Sequence, residues 1–153
     1  MTYEELLKES ETEGLTVKEK HLKANKGRIK GNRIAIKKDM TATEKSCVLA
    51  EELGHYYTSA GDILNLYDVR NLKQELRARH WAFNKQIGLI GIIRAYEARC
   101  KNKVEMAEFL GVTEEFLEDA LQYYKTKYGT DVKVDNYQIF FEPNLFVLKL
   151  IGE

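Results

Sequence analysis

Hydrophobic residues recur at helical spacing over most of the chain. Near the N-terminus the pattern is short: Tyr3, Leu6 and Leu7 predict a helix that ends at about Thr12. Further along the pattern is longer. The predicted longer helices cover about residues 44–61, 72–87 and 89–101, followed by two segments within 103–128. The spacing therefore predicts a protein made mostly of helices.

Two stretches alternate between apolar and polar residues, as strands do. "GRIKGNRIAI", residues 27–36, places Gly31 and Asn32 between two alternating segments, which predicts a two-residue hairpin. The end of the chain, "YQIFFEPNLFVLKL", holds two strand-like pieces around Pro143, again a predicted hairpin. Thr41 or Thr43 is the expected N-terminal cap of the helix that follows the first hairpin. "GDILNLYDVRN", residues 61–71, is predicted to be an irregular connection.

These elements together predict an α+β fold. It has a mostly helical core with a small N-terminal β element, then a C-terminal helical pair and a β-hairpin. We expect residues 1–102 to form the main domain, with residues 103–153 packed on it as one compact unit. A chain of 153 residues is long enough to bury such a core.

Composition and charge narrow the class of protein. The formal net charge is zero, which provides no bulk attraction to nucleic acid. The longest apolar run, residues 87–93, is too short to cross a bilayer, and the N-terminus lacks the parts of a signal peptide. Cys47 and Cys100 are far apart and lie in predicted helices, so we expect free thiols in a reducing compartment. The expected location is the cytoplasm.

The stretch "LAEELGHYYT", residues 49–58, carries the clearest candidate chemistry. Glu51 and His55 are four residues apart and share one face of a helix, and both side chains are of types that bind zinc. Glu52 lies beside that face, where an H-E-x-x-H helix carries its general base. The stretch thus has the spacing of a zinc-peptidase helix with Glu51 in place of the first histidine. A solvated glutamate pair beside a partly buried histidine would give the same pattern.

A third metal ligand is expected from a second, antiparallel helix. "KQELRARHWAF" offers Glu75, and Ala78 one turn later is small enough for close helix packing. His80 is a competing candidate, but it lies five residues beyond Glu75, about 140° around an α-helix. It cannot easily serve from the same face as Glu75.

These motifs together resemble the ImmA/IrrE family of metallopeptidases. In that family a strand leads to an H-E-x-x-H helix, and a later helix carries a Glu-x-x-Ala-x-x-aromatic-Ala signature that supplies the third ligand. The matching signature positions in this chain are Glu75, Ala78, Trp81 and Ala82. Glu52 falls on the family's catalytic glutamate, and His55 falls on its second histidine ligand.

The resemblance implies that the mostly helical core is zincin-like. It also implies a metal-dependent endopeptidase that cleaves or antagonises a phage-type repressor or similar regulatory protein. It implies Glu52 as the catalytic residue and Glu51, His55 and Glu75 as ligands to zinc or another divalent metal. Glu51 in place of histidine lowers the positive charge of the site, which favours harder ions such as manganese. The alternative is a weak or inactive member that only binds and antagonises its partner. Of the two, the endopeptidase is favoured.

Two charged regions bear on the partners. "MAEFLGVTEEFLEDAL" resembles a helix-turn-helix, but residues 105–119 hold six acids and no Lys or Arg, so the pair at 103–128 is not expected to bind DNA. Residues 18–38 hold nine Lys or Arg. The simplest interpretation is a solvated face, and such a face could also steer a charged protein partner. The expected partner is therefore a protein, with no direct DNA binding and no membrane.

Overall fold

The predicted α+β class is confirmed in the computed structural model, which describes residues 1–59 and 72–151. The chain divides into two units, Met1–Gln86 and Ile87–Glu153. The elements of the first unit are α1 (Tyr3–Thr12), β1 (Thr16–Lys20), β2 (Gly27–Lys30), β3 (Arg33–Lys37), α2 (Ala42–Thr58) and α3 (Leu72–Gln86). Those of the second unit are α4 (Gly88–Glu97), α5 (Lys103–Leu110), α6 (Glu114–Tyr128), β4 (Asp131–Val134), β5 (Tyr137–Phe140) and β6 (Phe146–Lys149). The predicted domain boundary after residue 102 stays a prediction.

The sheet of the first unit has the strand order β1-β3-β2. The predicted hairpin is confirmed: β2 and β3 pair antiparallel around Gly31 and Asn32, and Gly31 has a positive φ of 57°. Strand β1, which runs parallel to β3, was not predicted. Its sequence, "TVKEK", has one apolar residue and therefore lacks the alternation of a half-buried strand. Where such a strand usually buries an apolar side chain, β1 has Glu19, which binds Lys45 (2.8 Å) and Tyr3 (3.1 Å).

Helix α2 begins at a capping box. The Thr41 hydroxyl accepts from the backbone N–H of Glu44, and the Glu44 carboxylate accepts from the backbone N–H of Thr41. Of the two predicted caps, Thr41 is therefore the one used. The helix is described to Thr58, and both the predicted stop near Gly61 and the predicted connection at 61–71 lie outside the described residues.

In the second unit, α5 and α6 are joined as predicted. Gly111 takes the left-handed conformation (φ 70°), and the Thr113 hydroxyl accepts from the backbone N–H of Phe116 to cap α6. The helix predicted over 89–101 is wrong at its end, because α4 ends at Glu97 and Arg99 has a φ of 62°. The predicted C-terminal hairpin, β5 and β6, is confirmed. Strand β4, which was not predicted, pairs antiparallel with β5 and adds a third strand to this hairpin.

Two further observations concern the chain as a whole. Cys47 is buried, Cys100 is half-buried, and neither forms a disulfide. Cys100 follows α4 rather than lying inside it. None of the helices in residues 1–59 and 72–151 has both the length and the apolar content that a bilayer crossing requires.

Candidate metal site

Helices α2 and α3 approach each other closely at two small residues. A methyl group added to Gly54 would overlap the backbone carbonyl oxygen of Ala78, so only glycine fits at this position. Ala78 and Ala82 are fully buried. The small residues allow the two backbones to meet, and this contact sets the spacing of the side chains that lie beside it.

His55 and Glu75 are brought together across this contact. His55 Nε2 lies 3.4 Å from Glu75 Oε1, and the exposed fractions of the two side chains are 4% and 40%. A charge-assisted hydrogen bond is shorter, about 2.7–2.9 Å. Two donors on one tetrahedral zinc ion, each bonded at about 2.0–2.2 Å, lie about 3.3–3.5 Å apart. The separation therefore fits two ligands of a single ion.

Glu52, on α2, lies against the sheet of the first unit. It is buried, and its carboxylate reaches Gly27 at the start of β2. A Cβ atom on Gly27 would lie 3.2 Å from Glu52 Oε1 and 2.5 Å from Val48 Cγ1. The missing side chain at Gly27 thus leaves the room that the Glu52 carboxylate occupies.

Glu51 projects toward a basic residue of α3. Its Oε1 lies 3.7 Å from Arg79 Nε, with both side chains about one third exposed. The Arg79 guanidinium also lies over the Phe83 ring, 5.6 Å from its centroid. Among the described residues no group of three His, Cys, Asp or Glu side chains is arranged to hold a metal ion. The convergence of Glu51, His55 and Glu75 on one point stays a prediction.

The donor chemistry fits a divalent ion at the His55–Glu75 pair. An imidazole and a carboxylate are both common ligands, and one of the two is buried where water competes little. Glu51 stands one helical turn before His55 on the same helix, so it would be the third donor. The position of Arg79 beside the candidate site was not predicted. Its spacing of four residues from Glu75 does indicate that the two side chains share one face of α3.

Aromatic side chains lie next to the helix pair. The Tyr57 and Trp81 rings stack with centroids 5.0 Å apart, and Tyr56 meets Tyr57 edge-on at 5.1 Å. Burial raises the pKa of Tyr57, and the nearby carboxylates of Glu13 and Glu9 raise it further. His80, the competing candidate ligand, is half-buried with its ring 6.3 Å from that of Phe83.

Comparison with known protein families gives one match. The sequence model of the IrrE N-terminal-like domain family, a family of peptidases, matches residues 5–122. The chain belongs to this family. The matched residues of this IrrE-type domain run from α1 into α6, and they include every candidate site residue. The predicted membership of the ImmA/IrrE family is thus confirmed, and the function is of the metallopeptidase type. No curated protein and no solved structure matches the chain.

Proposed function

We propose that this IrrE-type domain is a metal-dependent endopeptidase that cleaves a phage-type repressor or a similar regulatory protein. One observation carries the proposal: His55 Nε2 and Glu75 Oε1 lie at the separation of two ligands on one ion. Membership of a peptidase family supports the reaction class. The repressor rests on the resemblance of the two motif-bearing helices to ImmA/IrrE proteins.

Each site residue has a distinct task. His55, Glu75 and Glu51 would hold the ion, either zinc or a harder ion such as manganese. Held by these residues, such an ion would provide Lewis-acid chemistry at the carbonyl of the scissile peptide. Glu52 is the base that takes a proton from the attacking water and later passes it to the leaving amine. Its side chain is buried, with the carboxylate against Gly27.

The test is cleavage of a phage-type repressor in cells that produce the domain. We expect repressor fragments with wild type and none with His55→Ala, because His55 is the buried ligand. His21→Ala is the matched control, since the His21 side chain is 79% exposed and its neighbour is Asp39 at 3.9 Å. Fragments are identified by mass spectrometry of the tagged repressor. Cleavage by His55→Ala equal to that of wild type would exclude the proposed site.

A second candidate function is favoured by the Glu51–Arg79 pair. Here a protein cation, Arg79, stands beside the carboxylate that replaces the family's first histidine and supplies positive charge next to it. Such a domain would bind and antagonise a regulatory protein without cutting it. Release of a repressor-controlled reporter with the repressor chain intact is the outcome specific to this alternative.

Arg79 should also lower the affinity of the site for metal, because it competes with the ion for Glu51. Arg79→Gln is expected to tighten zinc or manganese binding by up to about fivefold, since exposed ion pairs contribute roughly 0.2–1 kcal/mol. Affinity is measured by competition with a chromophoric chelator. Arg77→Gln is the control, an exposed arginine on the same helix. Unchanged or weaker binding by Arg79→Gln would show that Arg79 does not compete for the ligand.

A further inference from the structure

The outer face of the first sheet is lined by cations. Residues alternate between the two faces of a strand, and in this sheet Ile29, Ile34 and Ile36 are buried on the inner side. The opposite side, which we call the basic sheet face, carries charged residues on all three strands. Its cations are Lys18, Lys20, Arg28, Lys30, Arg33 and Lys37.

The strand register sets these cations side by side. Lys18 and Arg28 flank Ala35 from opposite sides, and Lys30 lies beside Arg33 on the neighbouring strand. Paired residues on adjacent strands are only about 5 Å apart, so the positive charges are crowded. Five of the six cations line an open concavity of about 510 Å³, together with Thr16, Leu22, Ile34 and Ala35.

The lining of this concavity contains no acidic side chain. Crowded like charges repel one another, and a polyanion that spans the face would relieve the repulsion and release its own bound counterions. Glu19, the acid within β1, is directed to the inner side, where it binds Lys45 at 2.8 Å. The charge of the face is therefore complementary to an extended anion.

We infer that the basic sheet face binds the phosphate backbone of a nucleic acid. A protein partner fits less well, because protein interfaces are poor in lysine and are anchored by aromatic side chains, and the concavity is lined by none. A membrane fits less well too, since the large apolar residues of the lining are Leu22 and Ile34, and Ile34 is buried. Contacts to phosphate carry no sequence information, so binding through this face should be independent of sequence.

The zero net charge that argued against nucleic acid is an average over the chain. The folded sheet places its cations on one face, while the six acids of residues 105–119 belong to the second unit. The inference does not depend on the proposed peptidase activity, because Glu52 lies against the inner side of the same sheet.

The experiment is fluorescence anisotropy of the full chain with a labelled random-sequence DNA strand and with its duplex, between about 50 and 200 mM salt. Wild type should bind both, with an affinity that falls steeply as salt rises. The variant Lys18→Gln/Lys30→Gln/Arg33→Gln removes three exposed cations of the face. Its duplex affinity should fall at least about tenfold at low salt, and its log–log salt slope should be shallower by about 2.7, or about 0.9 per phosphate contact.

The matched control is Lys8→Gln/Lys101→Gln/Lys133→Gln. These three lysines are exposed and lie outside the first sheet, so the control loses the same net charge without changing the face. Binding and salt slope of the control should stay close to wild type, and the melting temperatures of both variants verify that they fold. The inference is overturned by no binding of wild type at low salt or by equal losses in the two variants. It is also overturned if polyglutamate or anionic vesicles compete as well as DNA at equal charge concentration.

Discussion

Glu52→Gln is expected to abolish repressor cleavage while leaving metal affinity nearly unchanged. Loss of a general base lowers the rate by about 10²–10⁴-fold. Glutamine keeps the shape of glutamate, so the buried space against Gly27 stays filled and the fold is retained. Glu51, His55 and Glu75 are untouched, so all three proposed metal ligands remain. Cleavage is measured with purified domain and repressor, and metal affinity is measured by chelator competition on the same preparation.

The control for this change is Glu11→Gln, which neutralises an exposed carboxylate on α1. It should cleave as wild type does. Full cleavage by Glu52→Gln would refute the role of Glu52. If Glu52→Gln still antagonises the repressor in cells and wild type produces no fragments, the result supports binding without cleavage.

Gly54→Ala is expected to destabilise the first unit and to weaken metal binding. The added methyl group overlaps the carbonyl oxygen of Ala78, and because that atom belongs to the backbone of α3, the two helices must separate. Overpacking of this kind costs about 1–3 kcal/mol, occasionally more. The shift would also move Glu75 away from His55. Melting temperature and metal affinity should therefore fall together.

Gly91→Ala is the matched control, because Gly91 is also buried within a helix. Its added methyl group would meet the end of the Leu110 side chain at 3.2 Å, an atom that can shift. Alanine is favoured over glycine in helices by about 1 kcal/mol, so the melting temperature should change little or rise. If Gly54→Ala were as stable as wild type, the close approach of α2 and α3 would not limit the site.

The parts of the fold that the sequence predicted are those with a local cause. Gly31 and Asn32 specify a tight turn, Thr41 with Glu44 specifies a helix start, and Gly111 specifies a helix end. The missed strands have no such local cause. β1 is held by direct parallel pairing to β3, although β2 lies between them in the sequence. Helical or alternating spacing does not encode such a pairing.

The candidate site shows the same division. Spacing placed Glu51 and His55 on one face of α2, and the family signature added Glu75; the structure brings His55 and Glu75 together. Spacing does not determine the direction of a long side chain. Glu51 lies 3.7 Å from Arg79 in the structure, and helical periodicity alone does not determine whether Glu51 faces that cation or the proposed metal.

The parallel pairing of β1 with β3 also bears on self-association. Strand β3 carries Ile34 and Ile36 and is the most apolar strand of its sheet, which makes it the strand most prone to recruit a second chain. It lies in the middle, so both of its hydrogen-bonding edges are occupied by its own chain. The two strands left at the margins are short and rich in lysine and arginine. Strand β1, which was not predicted from the sequence, thus occupies one edge of β3 and prevents a second chain from pairing there.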